Sequence, residues 1–200
     1  MKIIKIDPEN PNPTILKQVF KFLSEAKTVV IPTDTVYGLA ADATNLKAVK
    51  KTTQIKRRSL NKPYSVFVAD LEMIKNLVQI DRQTLEILER NLPGPFTIVL
   101  KSKIGKDKTV AIRIPKYPLI NKLSKIFKKP IIATSANISG KSPCWSVKEV
   151  LEQFKNKKFQ PDIIFDAGVL PKSLPSTVVD LTSKPYKILR QGGERFVIEI

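Results

Sequence analysis

The sequence predicts an α/β fold: a twisted, mixed, open sheet with helices on its faces. Strand-length apolar runs alternate with stretches of 3.6-residue periodicity for most of the 200 residues. The chain is strand-rich from about residue 163 onward. No repeat, low-complexity tract or linker interrupts it, so one domain is expected over residues 1–200.

The elements follow in order. KIIKID (2–7) reads as a first strand. Asn12 followed by Pro13 starts a helix, because the fixed φ of proline suits the first helical position. Ile15, Leu16, Val19, Phe20, Leu23 and Ala26 then share one apolar face. TVVIPT (28–33) is a strand, and Asn45 caps a basic helix that runs to about Lys56. YSVFVA (64–69) is a strand, followed by helical stretches near 71–77 and 81–91 and an LPGP turn at 92–95. Residues 96–101 and 109–114 are strands. Alternation along the second puts Val110, Ile112 and Ile114 on one face and Ala111, Arg113 and Pro115 on the other. A helix follows Pro118, then a strand over 130–134. Ser146 with Glu149 three residues on is a capping box for a helix to Phe154. Short strands are expected near 163–167, 176–181, 187–190 and 196–200. A sheet of this kind offers a ligand crevice at its strand ends.

Composition narrows the chemistry. The chain has no histidine and one cysteine. That excludes Ser-His-Asp and Cys-His nucleophiles, an ordinary protein-bound zinc site and an internal disulfide. Reactions must then run on carboxylates, lysine, arginine, hydroxyls, backbone dipoles or a metal that a substrate brings. The single cysteine and the absence of a secretory signal or a bilayer-spanning run suggest a cytoplasmic protein without a membrane partner. Thirty-five basic residues against 18 acidic ones, a net charge of +17, favour a polyanionic partner such as nucleotide or nucleic acid. With seven glycines, the chain contains neither G-x-x-x-x-G-K nor G-x-G-x-x-G, so a bound nucleotide needs another cradle.

Four strands end or begin on small polar residues or a cation. VVIPTDT breaks into Thr33, Asp34 and Thr35, and IIATSAN into Thr134, Ser135 and Asn137. PSTVVD starts with Ser176 and Thr177, and ILRQGG ends on Arg190. A turn would account for each separately; four together point to a shared polar pocket. Arg113 sits mid-strand, where a buried cation needs an anion unless that face of the sheet is open. KRRSLNKP (56–63) is the densest cation cluster, suited to gripping phosphate or to a solvated helix end. Residues 101–141 form a second basic stretch, with few aromatic residues for stacking on bases.

Taken together, IPTDTVYGLAADA, KRRSLNKP, PGPFTIVL, AIRIP, TSANISG, PSTVVDLT and ILRQGG resemble the YrdC-like family, the threonylcarbamoyl-AMP synthases, across residues 3–193. The resemblance implies formation of threonylcarbamoyl-adenylate from L-threonine, bicarbonate and ATP with release of pyrophosphate. The product would serve tRNA modification by a threonylcarbamoyl transferase. It places the family's K-x-R and S-x-N signature on Lys56, Arg58, Ser135 and Asn137. A threonine pocket would fall on Thr35, Phe67, Arg113, Ala133 and Ser176, and ATP contacts on Arg58, Lys62, Thr109, Ser135 and Arg190. Mg²⁺ would travel with ATP, without a protein metal site. Phe67 stands where many relatives carry histidine, and Pro143, beside Ser142, where a hydroxyl is expected. Ending at Ile200, the chain is expected to resemble the short form that lacks an extra C-terminal domain. The alternative is a non-catalytic RNA-binding protein, or a paralogue of the same fold, that uses its basic face. Direct contact with tRNA fits either reading.

Overall fold

A computed structural model of the chain describes residues 1–59, 64–104 and 108–198. Its helices are α1 (Pro13–Ser24), α2 (Leu46–Lys56), α3 (Leu71–Leu77), α4 (Arg82–Asn91), α5 (Pro118–Phe127) and α6 (Val147–Phe154). The sequence signals for their starts hold. The Asn12 and Asn45 side chains accept from the first-turn N–H groups of α1 and α2, and the Ser146–Glu149 capping box is complete in both directions.

The strands form two sheets rather than the single one expected. The first sheet runs β1 (Lys2–Lys5), β9 (Ile163–Asp166), β2 (Val29–Ile31), β3 (Gly38–Ala40) and β8 (Thr134–Ser135). The second runs β11 (Lys187–Arg190), β10 (Thr177–Asp180), β5 (Phe96–Lys101), β6 (Thr109–Arg113), β4 (Ser65–Phe67) and β7 (Ile131–Ile132). Both mix parallel and antiparallel pairs.

Three further differences from the sequence reading matter. The strand expected over 130–134 is two short strands in different sheets. Ile131 and Ile132 pair with β4, the Ala133 N–H donates to the Ser65 carbonyl, and Thr134 and Ser135 then pair with β3. The chain thus steps from one sheet to the other within five residues. Strand β3 was not expected: GLA is three small or apolar residues, all buried, with no alternation to reveal it. The strand expected over 196–200 is irregular through Ile198, and residues 199 and 200 lie outside the described residues. A side chain replaces the ladder there. Asn91 donates to the Val197 carbonyl at 2.8 Å and accepts from the Val197 N–H at 2.9 Å, while Phe196 packs edge-on against Phe96.

Packing follows the two-residue period of β2. Val29 and Ile31 face one core, with Leu16, Val19 and Leu23 of α1 and Leu119 and Leu123 of α5. Val30 faces the other, with Tyr37, Leu39 and the α6 residues Val150 and Phe154. The inward face of β6 carries Ile112 into a third core with Ile98, Ile74 of α3 and Ile87 of α4. Its opposite face, with Ala111 and Arg113, is left for something else.

Candidate active site

That face opens on a cavity of about 570 Å³, within the ~300–1,000 Å³ range of small-molecule sites. All four polar strand ends reach it: Thr33 and Thr35 after β2, Thr134 and Ser135 of β8, Ser176 before β10, and Arg190 of β11. The chain step at Ala133 brings the first-sheet hydroxyls alongside the second-sheet cations.

Each cation is fixed by its element. Helix α2 ends in a left-handed residue, Arg57 (φ 50°), which reverses the chain. Arg58 then reaches the cavity, with its guanidinium 4.8 Å from the centre of the Tyr64 ring. Arg190 donates to the Ser176 carbonyl (Nε 3.1 Å, Nη2 2.8 Å) and to Ser176 Oγ (3.0 Å). Burial, and secondarily the Arg113 charge, lowers its pKa. Arg113 lies over the Phe67 ring at 5.4 Å, and its Nη2 donates at 2.8 Å to each oxygen of Asp34. The anion expected for a mid-strand arginine is therefore, here, a carboxylate of the protein itself. Ser176 Oγ also shares a hydrogen bond with Thr97 Oγ1 at 2.8 Å.

The backbone makes this closeness possible at one glycine. A Cβ on Gly192 would lie 2.2 Å from the Pro175 carbonyl oxygen and 2.5 Å from the Thr177 nitrogen. The QGG segment must pass this near for Arg190 to reach Ser176, and the Gly192 N–H donates to Thr177 Oγ1 at 3.0 Å.

Behind Ser135 lies a buried polar knot. Lys56, 3% exposed, donates from Nζ to the Ser135 carbonyl at 2.6 Å and to Asn137 Oδ1 at 2.8 Å, and sits 3.4 Å from Ser135 Oγ. The Ser135 hydroxyl also donates to Asn137 Oδ1. The Asn137 amide donates to the Ile138 and Lys141 carbonyls, and the Ser139 N–H to the Lys56 carbonyl. Burial, and then the neighbouring Arg58, lowers the Lys56 pKa from 10.5 to about 8, so it remains largely an ammonium at neutral pH. Cys144 is buried and its thiol is pushed up to about 12, far from thiolate reactivity.

Of the residues singled out in the sequence, Thr35, Arg58, Phe67, Arg113, Ala133, Ser135, Ser176 and Arg190 line the cavity. Lys56 and Asn137 stand one layer behind it. Thr109 begins β6, four residues from Arg113 and so about 13 Å along the strand, and is not on the cavity wall. Lys62 lies outside the described residues. Phe67 offers Arg113 a ring face, and Pro143 contributes to the wall. Trp145 and the 173–175 segment also line the cavity and were not anticipated. Loops carry no periodicity to mark them. The one signal for Trp145 was its being the chain's single tryptophan.

Residues 21–192 match the Sua5/YciO/YrdC family, whose description is "Telomere recombination". A Methanocaldococcus jannaschii protein is 38% identical over 200 aligned positions, covering 96% of this chain and 93% of that one. The threonylcarbamoyl-AMP synthase of Vibrio vulnificus is 31% identical over 187 positions, covering 88% and 98%. The crystal structure of Pyrococcus abyssi Sua5 complexed with L-threonine superposes with a TM-score of 0.87 at 34% identity, over 96% of this chain and 58% of that one. This chain thus spans little more than half the length of that P. abyssi chain. The chain belongs to the Sua5/YciO/YrdC family.

Proposed function

We propose that this chain is a threonylcarbamoyl-AMP synthase, forming threonylcarbamoyl-adenylate and pyrophosphate from L-threonine, bicarbonate and ATP. The observation that carries the reading is the convergence of three guanidiniums, Arg58, Arg113 and Arg190, with the Ser135 hydroxyl on one cavity. The names of the V. vulnificus relative and of the threonine-bound P. abyssi neighbour agree with it.

The threonine amine takes up bicarbonate with loss of water, giving an N-carboxylate. One of its oxygens attacks the α-phosphorus, the bond from that phosphorus to the β-phosphate bridging oxygen breaks, and pyrophosphate leaves. Such a transfer depends on alignment and on stabilising charge over the phosphoryl oxygens. Arg58 and Arg190 would hold the phosphates, Arg113 the threonine carboxylate, and the Ser135 hydroxyl, turned away from Asn137 Oδ1, a phosphate oxygen. Thr35, Ser176, Phe67 and Ala133 would shape the threonine subsite. Lys56 and Asn137 would act by holding Ser135 in place. Mg²⁺ would arrive on the ATP phosphates as part of that substrate. The cavity offers hydroxyls and guanidiniums, and the nearby carboxylate of Asp34 is engaged with Arg113. The product's consumer would be a tRNA-modifying threonylcarbamoyl transferase, with the basic stretch over 101–141 as the candidate surface for direct tRNA contact. We place the enzyme in the cytoplasm; among the described residues no helix is long and apolar enough to cross a membrane.

Mass spectrometry of a reaction with ¹³C-bicarbonate tests the chemistry. A labelled adenylate carrying both threonine and the ¹³C carboxyl is expected. Unlabelled threonyl-AMP, or AMP without an adduct, would contradict it.

A further inference from the structure

Asp34 stands apart from every role assigned above. It lies in the turn between β2 and β3, between the cavity-lining Thr33 and Thr35, yet it is not itself on the wall. Its side chain is 11% exposed and that of Arg113 is 10% exposed. Both Asp34 oxygens take the same nitrogen, Nη2, at 2.8 Å. A guanidinium has five N–H donors, so this contact leaves Nη1 available to a ligand. The buried Nε has no hydrogen-bond partner among the described residues. The turn that presents Asp34 is braced: the Thr33 hydroxyl donates to the Val36 carbonyl at 2.7 Å and accepts from the Thr35 N–H, and Ser173 Oγ donates to the Thr35 carbonyl at 3.0 Å. The ion pair also joins a first-sheet turn to a second-sheet strand beside the cavity.

Charge gives a second, independent reason. Arg190 reaches the same cavity, and its positive charge and that of Arg113 act on each other. Two like charges in a partly desolvated cavity repel strongly. Asp34 is the carboxylate bound to either guanidinium among the described residues.

We propose that Asp34 is a positioning residue for the carboxylate subsite. It aims the Arg113 fork at the L-threonine carboxylate and supplies the countercharge that lets Arg113 and Arg190 share one cavity. This rests on the assignment of Arg113 to the threonine carboxylate made under the proposed function. Asp34 stays on Nη2 while the substrate carboxylate takes Nη1, so the two anions flank one cation instead of competing for it.

The test uses Asp34→Asn and Asp34→Glu in the full chain. L-threonine binding is measured by calorimetry, and KM for L-threonine and for ATP by pyrophosphate release. Asp34→Asn is expected to weaken L-threonine, in both Kd and KM, by about tenfold or more, with KM for ATP changed by less than about threefold. Asp34→Glu, which keeps the charge but moves it by one methylene, should recover part of that loss. Both the positioning role and a merely structural one lower the melting temperature of Asp34→Asn, so melting does not decide between them. A melting change with threonine constants unmoved, equal losses for both substrates, or tighter threonine binding would each overturn the proposal; the last would make Asp34 a competitor of the substrate. If Asp34→Asn fails to fold, Asp34→Glu decides: unchanged threonine affinity there overturns the role. A parent protein that binds L-threonine but releases no pyrophosphate would contradict the proposed reaction while leaving this role measurable by calorimetry. A parent that binds no L-threonine would overturn both.

Discussion

Ser135 and Asn137 are two residues apart, and the structure gives them different positions. Ser135 lines the cavity, whereas the Asn137 side chain is spent on the protein, accepting from Lys56 and Ser135 and donating to two carbonyls of its own loop. Ser135→Ala removes the hydrogen bond donated to Asn137 and the longer one accepted from Lys56, about 1 kcal/mol each at most, so it should melt within a few degrees of the parent. Its rate of pyrophosphate release should fall about 100-fold, as for other lost oxyanion donors. Asn137→Ala should instead lower the melting temperature strongly, because it strips an acceptor from a buried ammonium. If the two variants lose rate and stability in equal proportion, the division of roles is wrong. Lys56 gives a pH test with a definite sign. Its folded pKa, about 8, lies below the ordinary 10.5, so the fold disfavours the charged form. That penalty, about 3 kcal/mol at most, is fully present below about pH 8 and fades as pH rises towards 10.5. The melting temperature of the parent relative to Lys56→Met should therefore move in the parent's favour between pH 7 and pH 10. A difference flat across that window would mean that burial does not depress this lysine.

Among the elements, the QGG segment after β11 carries the sharpest steric constraint. Gly192 has backbone atoms, not mobile side-chain ends, where a Cβ would go. Gly192→Ala must push the segment away from Ser176 and Thr177, and Arg190 with it. A loss on the order of 2 kcal/mol or more is expected, together with weaker ATP binding. Unchanged melting and ATP affinity by calorimetry would show that the close approach is dispensable. Helices were the most legible elements in the sequence, because Asn12, Asn45 and the Ser146–Glu149 pair announce their starts chemically. Strand β3 was not legible, since Gly38–Ala40 is buried on both faces and lacks alternation. Nor could the run IIATS reveal its change of sheet at Ala133: β7 is buried like any inner strand, and the transfer is fixed by pairing with Ser65 and Gly38, residues distant in sequence. The polar strand ends of the cavity could be read because polar residues following apolar runs are local signals. Asp34 was visible as part of TDT, but its partnership with Arg113 joins residues 79 apart, and nothing local reports that. Trp145 and the 173–175 segment belong to the wall only through tertiary placement.

At the scale of the molecule, two mixed sheets meet where the 131–135 segment crosses between them, and the cavity lies along that seam. Of the described basic residues, Arg58, Arg113 and Arg190 line it. The other described lysines and arginines lie off its wall, which separates substrate chemistry from any long-range attraction of a polyanion. The central claim is that this seam joins L-threonine, bicarbonate and ATP in one reaction. Its most direct test is pyrophosphate release by the purified chain with each substrate omitted in turn, repeated with Arg58→Ala. The account predicts sustained release when all three are present, near-background release when any one is left out, and a large loss in Arg58→Ala. Release from ATP at the same rate with or without L-threonine and bicarbonate would contradict it.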